Sequence, residues 1–368
     1  MKRRIAIKIG SNVLTRNDGK LDITRMSSLV DQIADLHRQG IEILLISSGA
    51  VASGKSEINI GKQLDAVSSR QLYSAIGQAK LINRYYDLFR EQGICCGQVL
   101  TTKESFSTRT QYLTQKHCME VMLNHHVIPI VNENDTISVT ELMFTDNDEL
   151  SGLIATMMNT DTLIILSNVN GIYTGNPADP NTQLLSQITR LGEDMSQIIP
   201  GQQDLEAYIQ SGKSSFGRGG MLTKCKIACQ VAEEGIEVII ANGKRDNILN
   251  LILYQPEKTL CTRFVPGEKN VSNIKKWIAH SEDFAKGKIV INAGAEEALS
   301  SPKASSILLV GVTRIEGDFE KDDIVRVMNE EGKQIGIGCT AYSSQEARPL
   351  IGTKDVKPII HYNYLYLN

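Results

Sequence analysis

Short runs of β-branched residues alternate with longer amphipathic stretches through the first two thirds of the chain, and this alternation limits the fold more than any other feature. Arg4 to Ile9, Ile41 to Ile46, Gly97 to Leu100, Val127 to Val131, Thr162 to Leu166 and Ile236 to Ala241 are apolar almost throughout. Strands buried on both faces have that pattern. The clearest helix runs from Ser69 to Gln92, where Leu72, Ile76, Ala79, Ile82, Tyr86 and Phe89 recur at three or four residues and Gly93 provides a stop. Strands separated by helices predict an α/β fold with a mainly parallel sheet covered on both faces.

The 368 residues exceed what one core usually holds, so two domains are expected. Composition shifts at Pro256 to Lys276, which carries two prolines and no sustained period and reads as a linker. The expected division is therefore an α/β domain over 1–255, a linker over 256–276 and a small barrel-like β domain over 277–368. In the last part short strands such as "GKIVIN", "DIVRVMN" and "QIGIGCTAY" are punctuated by Gly and Asp turns. A formal net charge of −3 gives no general attraction to polyanions. No apolar run approaches the roughly 20 residues of a membrane span, and the short segment before Gly10 does not suit a signal peptide. Seven cysteines without C-x-x-C spacing read as buried, reduced thiols, and the chain is expected to be cytoplasmic.

Four groups of residues stand at the carboxyl ends of predicted strands, where open α/β sheets place their ligands. Taken singly, an edge-strand lysine reaching solvent, an ordinary strand-to-helix turn and a common glycine-rich surface loop would each account for one of them. Lys8, inside an apolar strand and just before Gly10, needs an anion, because a buried unpaired ammonium is costly. "LLISSGAVASG" brings small residues to a strand end, where backbone N–H groups approach an anion closely. Asn132 to Asp135 follow one strand, and Asp146, Asn147 and Asp148 precede an apolar helix. Such residues often serve only as caps and turn formers, but two clusters together suit an ammonium group and a phosphate. "SSFGRGGMLTK" places a glycine-rich loop before Thr223 and Lys224, the latter suited to a point charge on a transferring phosphoryl group.

Gly49, Gly54, Lys55 and Ser56 also fit the P-loop pattern G-x-x-x-x-G-K-S. A P-loop requires a helix starting at the second glycine. Here the helix starts at Gly49, Gly61 interrupts the stretch after Lys55, and the strand ending at Leu166 lacks an acidic Walker B partner. The match is read as accidental.

Together "KIGSNVLT", "SSGAVASG", "IPIVNENDT", "DNDELSGLIA", "LSNVNGIYTGNP" and "GRGGMLTK" resemble the amino acid kinase superfamily, most closely its glutamate 5-kinase family, across nearly the whole chain. The tail, with "GKIVINAGAEEAL" and "YSSQEAR", resembles the PUA domain that many members carry. The resemblance implies an open αβα sandwich and transfer of the ATP γ-phosphoryl group to the side-chain carboxylate of L-glutamate, the first step of proline biosynthesis. It implies ATP contacts by Lys8, Gly10, Ser167, Asn168, Arg218, Gly219, Gly220, Met221, Leu222, Thr223 and Lys224, and glutamate contacts by Ser48, Gly49, Asn132, Asp135 and Asn147. Lys8, Lys224 and Asp148 would be catalytic, with Asp148 orienting the two lysines. Mg²⁺ would be held mainly by the ATP phosphates, without a protein metal site.

It further implies inhibition by proline, a homo-oligomer, either dimer or tetramer, and a glutamyl phosphate reductase as a partner. The sequence departs from the family at Ser167 and Asn168, at Asn176 within "YTGNP", and at Arg218, positions that bear on nucleotide contacts. An acetylglutamate or aspartate kinase is the nearest alternative. RNA binding by the tail is another, weakened by acidic residues interleaved with its lysines and arginines.

Overall fold

The computed structural model describes residues 2–58, 64–138, 147–174, 181–189, 221–267, 278, 282–301 and 305–367. They form two units, residues 1–103 with 116–270, and residues 104–115 with 271–368.

The first unit is built on one eight-stranded sheet. Its strands are β1 (Arg4–Ile9), β2 (Glu42–Ser47), β3 (Cys96–Thr101), β4 (Ile128–Glu133), β5 (Thr162–Ser167), β6 (Gln187–Ile188), β7 (Glu237–Asn242) and β8 (Cys261–Phe264). They lie in the order β3-β4-β2-β1-β5-β7-β8-β6. All neighbours are parallel except β7 and β8. β2, β4 and β5 are buried along nearly their whole length, as their uninterrupted apolar runs require. The chain builds outward from β1 through β2 on one side and resumes with β5 on the other. The carboxyl ends of β1 and β5 therefore flank the switch point where open α/β sheets accept ligands.

Side-chain alternation along β1 decides which way its lysine faces. Ile5, Ile7 and Ile9 join the core beneath helices α1 (Ile23–Arg38) and α3 (Ala66–Glu91), so Ala6 and Lys8 face the opposite side of the sheet. α3 begins three residues earlier than its apolar period suggests, because the Asp65 carboxylate accepts from Val67 and Ser68 N–H and caps it.

The P-loop look-alike has a packing explanation. Helix α2 (Ala50–Lys55) starts directly after Gly49, whose φ of 108° favours glycine, and Lys55 falls at its last residue, not in a first turn. Gly54 lies where α2 crosses α3. A Cβ there would come within 1.8 Å of the Tyr73 carbonyl oxygen, and one on Gly77 within 1.8 Å of the Ala50 carbonyl oxygen. The two glycines allow this close crossing, and Lys55 Nζ rests 5.7 Å from the Tyr73 ring centroid.

Several expectations change. Cys261–Phe264, assigned from sequence to the linker, is a strand of the main sheet: four residues containing Thr262 and Arg263 are too short and too polar to show a period. Residues 104–115 group with the carboxyl-terminal unit and not with the rest of 1–255. Within that unit the Arg109 guanidinium donates to Tyr364 Oη at 2.9 Å and stacks 5.4 Å from its ring centroid, a contact between distant residues that no local pattern reveals. Of the seven cysteines, all free thiols, Cys225, Cys229, Cys261 and Cys339 are buried as expected, whereas Cys95 and Cys118 are exposed and Cys96 is half-buried. Asn176, Arg218, Gly219 and Gly220 lie outside the described residues.

The second unit carries a five-stranded mixed sheet of β9 (Gly287–Ile291), β10 (Val312–Gly317), β11 (Ile324–Asn329), β12 (Gln334–Cys339) and β13 (Leu365–Leu367), in the order β10-β9-β11-β12-β13. Its own core gathers Ile289, Ile291, Val325, Val327, Ile359 and Ile360.

Gly77→Ala is expected to destabilise the first unit by about 2 kcal/mol, because the added methyl meets backbone and not a movable side chain. A urea midpoint equal to that of the wild type would show that the crossing relaxes.

Candidate active site

Lys8 occupies register positions opposite Ile46 of β2 and Ile165 of β5, in the middle of the sheet, and is only 5% exposed. An ammonium group there needs a nearby anion. Helix α4 (Asn147–Met157) supplies it from its first turn: Asp148 Oδ1 lies 2.6 Å from Lys8 Nζ. Helix α5 (Met221–Glu233) brings Lys224 to the other oxygen, with Nζ 2.8 Å from Asp148 Oδ2. Burial by itself would raise the Asp148 carboxyl, but the charges of Lys8 and then Lys224 outweigh it and hold the group down at about 2.

The two helices meet closely because α4 has a glycine where they touch. A Cβ on Gly152, one turn beyond Asp148, would lie 2.9 Å from Ile227 Cγ2 and 3.1 Å from Val231 Cγ2 of α5. Gly10 keeps the space beside Lys8 similarly clear. Its N–H donates to the Leu166 carbonyl at 3.1 Å, and a Cβ would stand 3.6 Å from Lys8 Nζ.

A second group of side chains adjoins the first through the neighbouring residue of α4. Asn147 Nδ2 donates to Ser48 Oγ at 2.8 Å and to Asn132 Oδ1 at 3.1 Å. Asn132 Oδ1 also accepts the Glu133 backbone N–H at 2.9 Å, and Asn132 Nδ2 donates to Gln78 Oε1 at 2.7 Å. Asp135 is held otherwise: Arg70 Nε donates to its Oδ1 at 2.5 Å and Ser74 Oγ to its Oδ2 at 3.1 Å, while Arg70 Nη2 donates to Glu133 Oε2 at 2.7 Å. Behind Ser48, Ser47 Oγ and the buried Tyr85 Oη are 2.9 Å apart.

The fold thus joins Lys8, Gly10, Asp148 and Lys224 in one cluster and Ser48, Asn132 and Asn147 in another, with Asp135 fixed beside the second by α3. Ser167 ends β5, its Oγ 3.4 Å from Asn168 Oδ1. Met221, Leu222 and Thr223 form the first turn of α5 ahead of Lys224. Arg70, Ser74 and Gln78 escape the sequence reading. They recur every fourth residue on a helix recognised by its apolar period, and that spacing is the signal that places all three on one face.

A model of the amino acid kinase family matches residues 3–242, and one of the PUA domain matches residues 287–362. The chain belongs to the amino acid kinase family, in its glutamate 5-kinase branch, and carries a PUA domain after the kinase region. It is 64% identical to a glutamate 5-kinase of Bacteroides thetaiotaomicron over 99% of this chain and 98% of that protein. With a glutamate 5-kinase of Chlorobaculum tepidum it shares 44% identity, over 99% of this chain and 97% of that protein. The figure for one of Thermoanaerobacter pseudethanolicus is 37%, over 98% and 94%.

Asp148→Asn removes a buried charge that both lysines face and is expected to cost about 3 kcal/mol at neutral pH. Because the folded carboxyl titrates below its ordinary 3.8, the charge stabilises the fold above about pH 4, and the benefit fades as pH falls toward 2. The gap in urea midpoint between wild type and variant should therefore stay level from pH 8 to 5 and narrow below 4. A gap that widens on acidification would contradict the assignment.

Proposed function

We propose that the protein transfers the γ-phosphoryl group of ATP to the side-chain carboxylate of L-glutamate, releasing ADP and L-glutamyl 5-phosphate for proline biosynthesis. The observation that carries this reading is the meeting of Lys8 and Lys224 on one buried carboxylate, next to the Ser48, Asn132 and Asn147 amide cluster. The named glutamate 5-kinases that align along its length support it.

Glutamate's side-chain carboxylate is ionised at neutral pH, so no general base is required. The barrier is repulsion between this anion and the triphosphate, and the work left to the protein is alignment and charge neutralisation. In this reading Lys8 lies between the attacking carboxylate oxygen and the γ-phosphoryl oxygens. Lys224 meets the negative charge that grows on the leaving β-phosphate oxygen as the bond to the γ-phosphorus breaks. Asp148 keeps both ammonium groups aimed at the transfer path. Gly10, Ser167, Asn168 and the segment from Arg218 to Thr223 are assigned to the nucleotide on the family resemblance. The donor groups at the cluster are cationic and suit phosphate oxygens, so Mg²⁺ would ride on the triphosphate and add further charge neutralisation.

Ser48, Gly49, Asn132, Asp135 and Asn147 receive the amino acid, with Asp135 and the amide oxygens toward its ammonium group. Proline offers an α-carboxylate and a secondary ammonium without a side-chain carboxylate, and in this reading it competes for that site and raises the apparent KM for glutamate. The enzyme is proposed to act in the cytoplasm as a homo-oligomer and to hand its labile acyl phosphate to a glutamyl phosphate reductase. Among the described residues no helix is long and apolar enough to cross a membrane.

Lys8→Ala and Lys224→Ala should each lower glutamate-dependent ADP release by about 100-fold or more, whereas Lys55→Ala should leave it within about twofold. Retained turnover in either of the first two, or a loss confined to Lys55→Ala, would overturn the mechanism. Trapping the acyl phosphate with hydroxylamine across a panel of L-glutamate, N-acetylglutamate and aspartate tests the substrate. The hydroxamate should appear with glutamate alone, and proline should suppress it.

A further inference from the structure

We infer that Gln78 is a positioning residue of the amino-acid site: by accepting from Asn132 it secures a hydrogen-bond chain, directed by the Glu133 backbone N–H, that leaves Asn147 Oδ1 facing the substrate as an acceptor. The inference rests on the glutamate-kinase reading above and assigns a role to a side chain that touches none of the reacting groups.

The chain has a fixed starting point. A backbone N–H can only donate, and that of Glu133 donates to the Asn132 side-chain oxygen at 2.9 Å. The atom facing Glu133 N–H is therefore the carboxamide oxygen of Asn132, and its Nδ2 must point elsewhere. That nitrogen is buried, on a residue only 2% exposed, and Gln78 Oε1 accepts from it at 2.7 Å. The same Asn132 oxygen accepts a second bond, from Asn147, so the Asn147 atom directed at it is Nδ2. Asn147 Nδ2 uses its other hydrogen on Ser48 Oγ at 2.8 Å. Both donor positions of Asn147 are thus committed to protein, and its Oδ1 remains to accept.

An acceptor here, together with the Asp135 carboxylate three residues after Asn132, favours a ligand rich in N–H donors, as a free ammonium group is. If the chain ran in the opposite sense, Asn147 would present its NH₂ to that ammonium, donor against donor. Two anchors prevent this: the Glu133 N–H, which belongs to the backbone, and Gln78, which belongs to α3.

α3 is suited to hold such an anchor. Gly77 is pressed against the Ala50 carbonyl oxygen, so the residue after it has little freedom to shift. Arg70 and Ser74, two turns and one turn before Gln78, hold Asp135 from the same helix face. One rigid helix thereby orients both acceptors that meet the ammonium group.

Gln78→Leu removes the acceptor and leaves the buried Asn132 Nδ2 without a partner, while Gln78→Glu keeps an acceptor in the same place. The KM for L-glutamate, measured by hydroxylamine trapping with saturating ATP, should rise about tenfold in Q78L and stay within about threefold of wild type in Q78E. In both variants kcat and the KM for ATP should stay within about twofold. If Q78L fails to fold, Q78M, which keeps the unbranched chain, takes its place with the same expectation. An unchanged glutamate KM in the apolar variant, equal damage in Q78E, or a parallel rise in the KM for ATP would overturn the inference. These outcomes are distinct from failure of the underlying reading, in which the wild-type protein itself yields no hydroxamate from glutamate.

Discussion

One carboxylate between two ammonium groups is the interaction on which the rest of the catalytic unit depends. Lys8 comes from the central strand and Lys224 from a helix far along the chain, and neither has the other's charge as a stabilising neighbour. At separations of a few ångströms two like charges in a poorly solvated site repel by several kcal/mol, and Asp148 converts that repulsion into two short ion pairs. Such a buried triad adds little to stability, since its desolvation is costly and apolar residues would fill the same volume as well. Its physical value is the reverse of a packing role: it holds two cations close together where an anion of higher charge can meet both.

Around that triad the helices are placed by the absence of side chains. Gly152 lets α4 and α5 approach until Asp148 and Lys224 pair, and Gly54 with Gly77 lets α2 and α3 cross until α3 reaches the polar end of β4. Where a methyl group would meet a backbone oxygen at 1.8 Å, glycine fixes the distance between elements, and that distance fixes which side chains touch. The resemblance of the Gly49 to Ser56 segment to a phosphate loop has the same cause: its second glycine serves a helix crossing.

α3 also shows how one helix can support both the core and the site. A single face serves both: toward its end Leu81, Tyr85 and Phe89 enter the core, while nearer its start Arg70, Ser74 and Gln78 reach the carboxyl end of β4. Tyr85 belongs to both, since its ring is in the core and its hydroxyl lies beside Ser47; burial pushes the phenol well above its ordinary value, so it stays neutral. The core thus supports the site directly, without an intervening loop.

Local pattern was enough to place six strands of the main sheet within a residue or two, to predict a parallel sheet, to reject the phosphate loop from the position of its helix start, and to single out Lys8, Asp148, Asn147 and Lys224. A lysine in an apolar strand and an acid at a helix start are conspicuous because each breaks the composition around it. Pattern was not enough for Arg70, Ser74 and Gln78, whose meaning lies in what a different element puts opposite them, nor for β8, too short to have a period, nor for the pairing of Arg109 with Tyr364. Which oxygen of Asp148 meets which lysine, and which way the Asn132 and Asn147 amides point, was decided only by tertiary structure. A hydrogen bond has direction and reach, and both are set by packing distances that a one-dimensional pattern does not contain.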